Sequence, residues 1–190
     1  MRFFKSSGTF SLGTGELKNL RSLTLASLLA AIYAVSYTPF IGNIIIIRGV
    51  IEIRFGFLAI AVAGMLFGPI MAALTAVIGD ILGTILFYGG SFFWGYTLSW
   101  ALLGIMFGLF FYKGKLSAPR IIASMLLNTC IINLLLTTQW EVMMGFGSFQ
   151  ALFFKRIAHN IFMLPVNTVL MFLVLRSVLS VYRKIYTTSV

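Results

Sequence analysis

Residues 22–47 and 55–79 contain no charged side chain. Each stretch is longer than the about 20 apolar residues that cross a bilayer as a helix. In lipid every backbone N–H and C=O must be satisfied within the protein, which leaves helix bundles and closed barrels. Barrel strands alternate apolar and polar residues, whereas these runs are unbroken, so a helix bundle is expected. The composition agrees. Of 190 residues, 60% are hydrophobic and 9% charged, too little polar surface to cover a water-soluble domain. At this length one domain is expected.

Helix breakers divide the runs. Helix 1 is expected over 22–38, ended by Pro39 and Gly42. Gly68-Pro69 separates helix 2 (54–67) from helix 3 (70–88), and Gly89-Gly90 makes the next turn. Helix 4 covers 92–112, a basic loop 113–120, helix 5 121–138 and a longer loop 139–150. Helix 6 covers 157–179, with Pro165 as an expected kink. Helix 2 is short for a full span. Either it begins earlier, within 44–52, or its outer end stops below the membrane surface and leaves a cavity.

The fold expected is therefore an all-α integral membrane protein of the cell membrane, a bundle of six transmembrane helices. Residues 1–21 form an N-terminal tail, 22–182 the bundle and 183–190 a C-terminal tail. The first 20 residues lack the compact apolar core of a secretory signal. They read either as a plain tail or as an interfacial segment resting on anionic lipid through Arg2, Lys5, Lys18 and Arg21. With six helices both termini share one side. That side also holds Lys113, Lys115, Arg120, Arg183 and Lys184, against Arg48, Arg54, Lys155 and Arg156 on the other. The basic excess places both termini in the cytoplasm. The loops after helices 1, 3 and 5 then face outward, and a site for an extracellular molecule would be built there. The net charge of +10 follows this membrane pattern and leaves no polar domain for nucleic acid. Cys130, the single cysteine, has no partner for a disulfide or a metal cluster.

Small residues recur every four positions at Ala26, Ala30 and Ala34, at Gly64 and Gly68, at Ala72 and Ala76, at Gly79 and Gly83, and at Gly104 and Gly108. Such stripes let membrane helices approach closely, and internal packing accounts for most of them. The alanine stripe of helix 1 has a second reading, as an exposed surface for a partner's helices.

From Ala26 to the end of helix 6 the chain resembles the substrate-specific S components of energy-coupling-factor (ECF) vitamin transporters, and among them the folate family. The resemblance rests on several stretches in order: Arg54-Phe55-Gly56-Phe57, Gly64-Met65-Leu66-Phe67-Gly68-Pro69, Gly79-Asp80, the run from Gly89 through Trp94 to Ser99, and Arg156 ahead of Asn160 and Pro165. It implies a protein that is not an enzyme, has no cofactor and captures folate outside the cell. The partners implied are a separate membrane coupling protein and two ATPase subunits. It also assigns Ala26, Ala30 and Ala34 to docking. In keeping with this, the chain has no Gly-x-x-x-x-Gly-Lys-Ser/Thr phosphate loop.

Folate has a flat pterin with a donor–acceptor edge, an aromatic linker and a glutamate tail. A matching site needs stacking rings, polar groups for the edge and cations for the tail. The candidates for the tail are Arg54 and Arg156, with Lys155 and Arg48 nearby. Their plain reading is as interfacial anchors. Phe92, Phe93, Trp94, Tyr96 and Trp140 form a stacking surface or an ordinary aromatic belt. Asp80, near the middle of helix 3, meets the pterin edge or pairs structurally within the bundle. Asn133, His159 and Asn160 are placed to face the same cavity. Other ligands of the class, such as pantothenate or riboflavin, are the alternative. A small intramembrane acyltransferase is a further one, disfavoured because one histidine and four dispersed acids, Glu16, Glu52, Asp80 and Glu141, build no catalytic pair.

Overall fold

The computed structural model describes residues 13–38, 43–47, 51–88 and 92–187. A 3₁₀ turn (Thr14–Lys18) leads into α1 (Leu20–Val35). Two strands follow, β1 (Asn43–Ile47) and β2 (Ile51–Arg54). Then come α2 (Gly56–Phe67), α3 (Pro69–Gly83), α4 (Trp94–Phe111), α5 (Ala118–Leu127), α6 (Thr138–Met143) and α7 (Phe149–Thr187). A π-helical turn, Thr84–Tyr88, prolongs α3, and a longer one, Asn128–Thr137, joins α5 to α6. Ala118–Met143 is thereby one rod.

Local chemistry sets these boundaries. Asn19 caps α1 by accepting a hydrogen bond from the Arg21 N–H at 3.1 Å. The α2–α3 turn needs a left-handed residue followed by a helix starter. Gly68, at φ 93°, and Pro69, in the first turn of α3, meet that need.

Among the described residues four helical stretches are long and apolar enough to cross a membrane: Pro69–Phe87, Trp94–Phe111, Ala118–Met143 and Phe149–Tyr182. The six spans expected therefore include two short helices. With 16 residues α1 is about 24 Å long, and with 12 residues α2 is about 18 Å, against about 30 Å of hydrocarbon. The chain between them is not helical. The run Ile44–Ile47 is β-branched and favours an extended backbone, and β1 pairs antiparallel with β2, Asn43 opposite Arg54 and Ile44 opposite Ile53. This hairpin amends the all-α expectation. Arg54 ends β2 rather than opening helix 2, and helix 2 does not begin within 44–52. An open groove lined by Ala31, Ile32, Val35, Ser36, Phe55 and Gly56 lies beside its start. The loop expected over 139–150 is also largely helical, because α6 reaches Met143 and α7 begins at Phe149. Pro165 sits inside α7 without ending it. At the chain's start, Leu17 packs against Ala26, Ala63, Phe67, Met71 and Ala72, and Ser22 donates to Glu16 at 2.6 Å. Residues 14–18 are thus seated on the bundle.

The most extensive helix contact is between α3 and α4. A Cβ on Gly104 would lie 2.7 Å from the Ala72 carbonyl, and one on Gly108 would run into Pro69. The backbones touch there, as the small-residue stripes implied. The alanine stripe of α1 does the same work. Ala26, Ala30 and Ala34 are 6%, 2% and 3% exposed, and a Cβ on Gly79 would lie 2.9 Å from the Ala30 carbonyl. The stripe is buried against α2 and α3, which corrects the reading of it as an exposed docking surface. The outward face of α1 instead carries Leu20, Leu28 and Ile32, together with the small residues Ser27 and Ala31.

Candidate functional site

At the end of the bundle where α1 finishes and α4 and α7 begin, polar and aromatic side chains gather. The innermost is Asp80 on α3, 2% exposed. The Tyr37 hydroxyl, just past α1, donates to its Oδ1. The Thr97 hydroxyl, in the first turn of α4, donates to its Oδ2 at 2.6 Å. One carboxyl thus ties three elements together. Tyr33 extends the network: its hydroxyl lies 3.3 Å from that of Tyr37, and its ring packs edge-on against Tyr37 and Trp100 with centroids 5.7 and 5.9 Å away. Gly79 and Gly83 make this possible. Side chains there would collide with the rings of Tyr33 and Tyr37 respectively.

A second cluster joins α4 to α6. The Trp140 indole N–H donates to Ser99 Oγ at 2.9 Å, and Ser99 donates to the Gly95 carbonyl at 3.0 Å. Phe93 packs against both Trp140 and Tyr96, with centroids 5.9 Å apart in each pair. Gly95 lies under these rings, since a Cβ there would come within 2.6 Å of Trp140. Phe92 and Trp94 form a separate edge-on pair at 4.9 Å, with Trp94 72% exposed.

The third feature ties α6 to α7. Arg156 donates from Nη2 to Glu141 Oε1 at 2.5 Å and from Nε to Oε2 at 3.2 Å. This is a bidentate pair, its side chains 21% and 24% exposed. The Asn160 amide donates to the Arg156 carbonyl at 2.8 Å, so this residue is occupied within its own helix. His159 and Asn133 are half-buried, and Lys155 is exposed. Asn133 lies in the π-helical segment, where Asn128 and Thr129 are buried. Such wide turns inside helices are frequent at functional sites.

The structure therefore brings Asp80, Tyr96, Trp140, Arg156 and Asn160 to one end of the bundle. It sets Phe92 and Trp94 apart from the inner aromatic cluster. Arg54 is placed only through its strand, and Arg48 lies outside the described residues. Tyr33, Tyr37, Thr97, Ser99 and Glu141 take part without having been singled out for it. A signal for the tyrosines exists in the sequence, because Tyr33 and Tyr37 share the four-residue spacing of Gly79 and Gly83.

Residues 21–175 match the family model of the ECF transporter substrate-specific component. The chain is 32% identical over 123 residues to the folate transporter FolT of Clostridium novyi (strain NT), covering 65% of this chain and 72% of that protein. It is 27% identical over 153 residues to the folate transporter FolT of Leuconostoc mesenteroides, covering 77% of this chain and 80% of that one. Its fold is similar to a crystal structure of FolT bound with folic acid, at a TM-score of 0.71 and 28% identity, covering 81% of this chain and 92% of the other.

The Asp80 network has a direct test. Thr97→Val keeps the shape of the side chain and removes one donor to a buried carboxyl. An unsatisfied buried acceptor costs about 1–3 kcal/mol, so the variant is expected to unfold at a lower temperature in detergent. An unchanged melting temperature would show that Thr97 contributes nothing to holding α3 on α4.

Proposed function

Because the chain belongs to the substrate-specific components of ECF transporters, we propose that it captures folate at the outer face of the cell membrane and delivers it to a partner module. It is a multi-pass membrane protein, and the family is a transport component rather than an enzyme, which sets the acyltransferase alternative aside. The observation that carries the folate reading is the fold shared with folate-bound FolT over most of both chains. The chemistry of the site supports it. Phe93, Tyr96 and Trp140 offer ring faces for the pterin and linker. Arg156 offers a guanidinium for a carboxylate of the tail, and Arg54 is a second cation at the same end. Trp94 and Phe92 stand at the rim. Asn133, His159 and Asn160 supply polar groups from the α5–α6 rod and α7. Asp80 braces α1, α3 and α4 below the rings.

A charge-assisted contact contributes about 1.5–3 kcal/mol. Arg156→Ala is therefore expected to weaken folate binding by roughly ten-fold or more, while pteroate, which lacks the glutamate, is affected far less. Calorimetry in detergent with both ligands measures this. Equal loss for the two would remove Arg156 from the reading of the tail, and no folate binding by the wild type would sink the proposal.

The distribution of Lys and Arg supports a topology with both termini in the cytoplasm. Cysteines introduced at Lys115 and Glu141, in a chain whose exposed Cys130 is replaced by serine, are expected to label from opposite sides of the membrane. Labelling from one side only would end this topology.

A membrane coupling protein and two ATPase subunits complete the importer in this reading. The docking helix is α1, through its outward Ser27 and Ala31 rather than its buried alanines. Ala31→Trp is expected to block co-purification with the coupling protein while leaving folate binding intact. Ala30→Trp is expected to disturb the fold itself. Normal assembly of the Ala31→Trp variant would rule out this face.

A further inference from the structure

Arg156 and Glu141 form the one ion pair among the described residues whose two carboxylate oxygens both engage a single guanidinium, at 2.5 and 3.2 Å. The pair is neutral as a unit. An incoming carboxylate that met it intact would gain less attraction from Arg156 than from a free guanidinium, and it would approach a second carboxylate of its own charge. Glu141 occupies the Nε–Nη2 edge of Arg156, so a ligand tail can make a bidentate contact on that edge only by taking the position that Glu141 holds.

We propose that Glu141 is a built-in stand-in for a ligand carboxylate, and that the tail of the arriving molecule displaces it from Arg156. The proposal rests on the folate reading above and assigns a specificity role within that site. Four features make the exchange practicable. The two side chains are 21% and 24% exposed, so the pair is shielded but within reach of an entering group. The helix that carries Glu141 does not depend on the pair for its place, because the adjacent Trp140 holds α6 to α4 through Ser99. Between α6 and α7, Gly145 and Gly147 adopt φ values of 81° and 152°. Glycine takes such angles without steric cost, so the turn can adjust when the pair separates. Asn160 meanwhile bonds the Arg156 backbone, not its side chain, and leaves the guanidinium free to change partners.

The exchange gives the site a way to discriminate. Pteroate keeps the rings and ends in one benzoate carboxylate, short of both carboxylates of the glutamate tail, and in this reading it leaves the pair closed. A molecule with the tail opens it and replaces one ion pair with another. Removing the charge of Glu141 therefore removes a competitor. A partly exposed pair contributes little to stability, so the gain is modest, and Glu141→Gln is expected to bind folate about two- to five-fold more tightly. Pteroate affinity should not change. The gain should vanish in the double variant with Arg156→Ala.

Calorimetry with folate and with pteroate, on the wild type, Glu141→Gln, Arg156→Ala and the double variant, tests this. Retained pteroate binding certifies that each variant is folded, and Glu141→Ala repeats the comparison if Glu141→Gln is not. Tighter folate binding in Glu141→Gln that depends on Arg156 supports the exchange. Weaker folate binding would make Glu141 a brace that aims Arg156 at the ligand, and would overturn it. So would an unchanged folate affinity, or an equal change for both ligands. If the wild type bound pteroate and folate equally, the exchange would fail while the pterin site stood. If it bound neither, both readings would fall.

Discussion

Direct contact between backbones holds this bundle together. Between helices in a bilayer there is little hydrophobic drive for association, because lipid tails are as apolar as the side chains they would be exchanged for. Close packing has to supply the attraction, and close packing needs small residues at the crossings. Gly104 and Gly108 bring α4 onto Ala72 and Pro69 of α3. Gly64 brings α2 onto α4, where a Cβ would sit 2.8 Å from the Gly108 nitrogen. The buried alanines of α1 bring that helix onto the same group. With the backbones this near, large side chains such as Phe107 and Leu103 fill what remains and are fully buried.

The same device builds the site. At Gly79, Gly83 and Gly95 the missing side chains admit rings rather than a neighbouring backbone. Those rings bring polar groups with them: Tyr37 reaches Asp80, and Trp140 reaches Ser99. A buried carboxyl in an apolar bundle is costly unless it is hydrogen-bonded, and here it receives two hydroxyls from two other elements. The outer end is thus a polar frame, braced from below by Asp80 and closed at the side by the Arg156–Glu141 pair.

Much of this could be read in the sequence, for definite reasons. Charge-free runs and Gly-Pro breaks located the helices, since lipid permits little besides helix and the breaks are chemical. The aromatic run near Phe93 and the cations near Arg156 were legible because both types are conspicuous in apolar surroundings. Direction was harder to read. The alanines of α1 have the same spacing whether they face a partner or the bundle, and only the position of α3 decides that they face inward. Phe92, Phe93 and Trp94 are consecutive, yet Phe93 turns inward while the other two pair outside. The run of isoleucines before Arg48 is apolar enough to read as an early start of helix 2, and pairing with Ile51–Arg54 makes it a strand. The partnership of Glu141 with Arg156 depends on how far α6 and α7 extend, which a loop assignment concealed.

The shortness of α1 has an energetic consequence. Ten of the 12 residues of α2 are buried, so its length hardly concerns the lipid. α1 is different, because Leu20, Leu28 and Ile32 are more than half exposed. Its helix falls about 6 Å short of the hydrocarbon thickness. A span this short is matched by local thinning of the bilayer, by flanking residues or by association, and such hydrophobic mismatch costs fractions of a kcal/mol per Å. A protein surface covering α1 takes the adjoining lipids away and returns that energy. On the folate-importer reading, the bilayer itself then presses this subunit towards its partner, and does so more strongly the thicker the bilayer is.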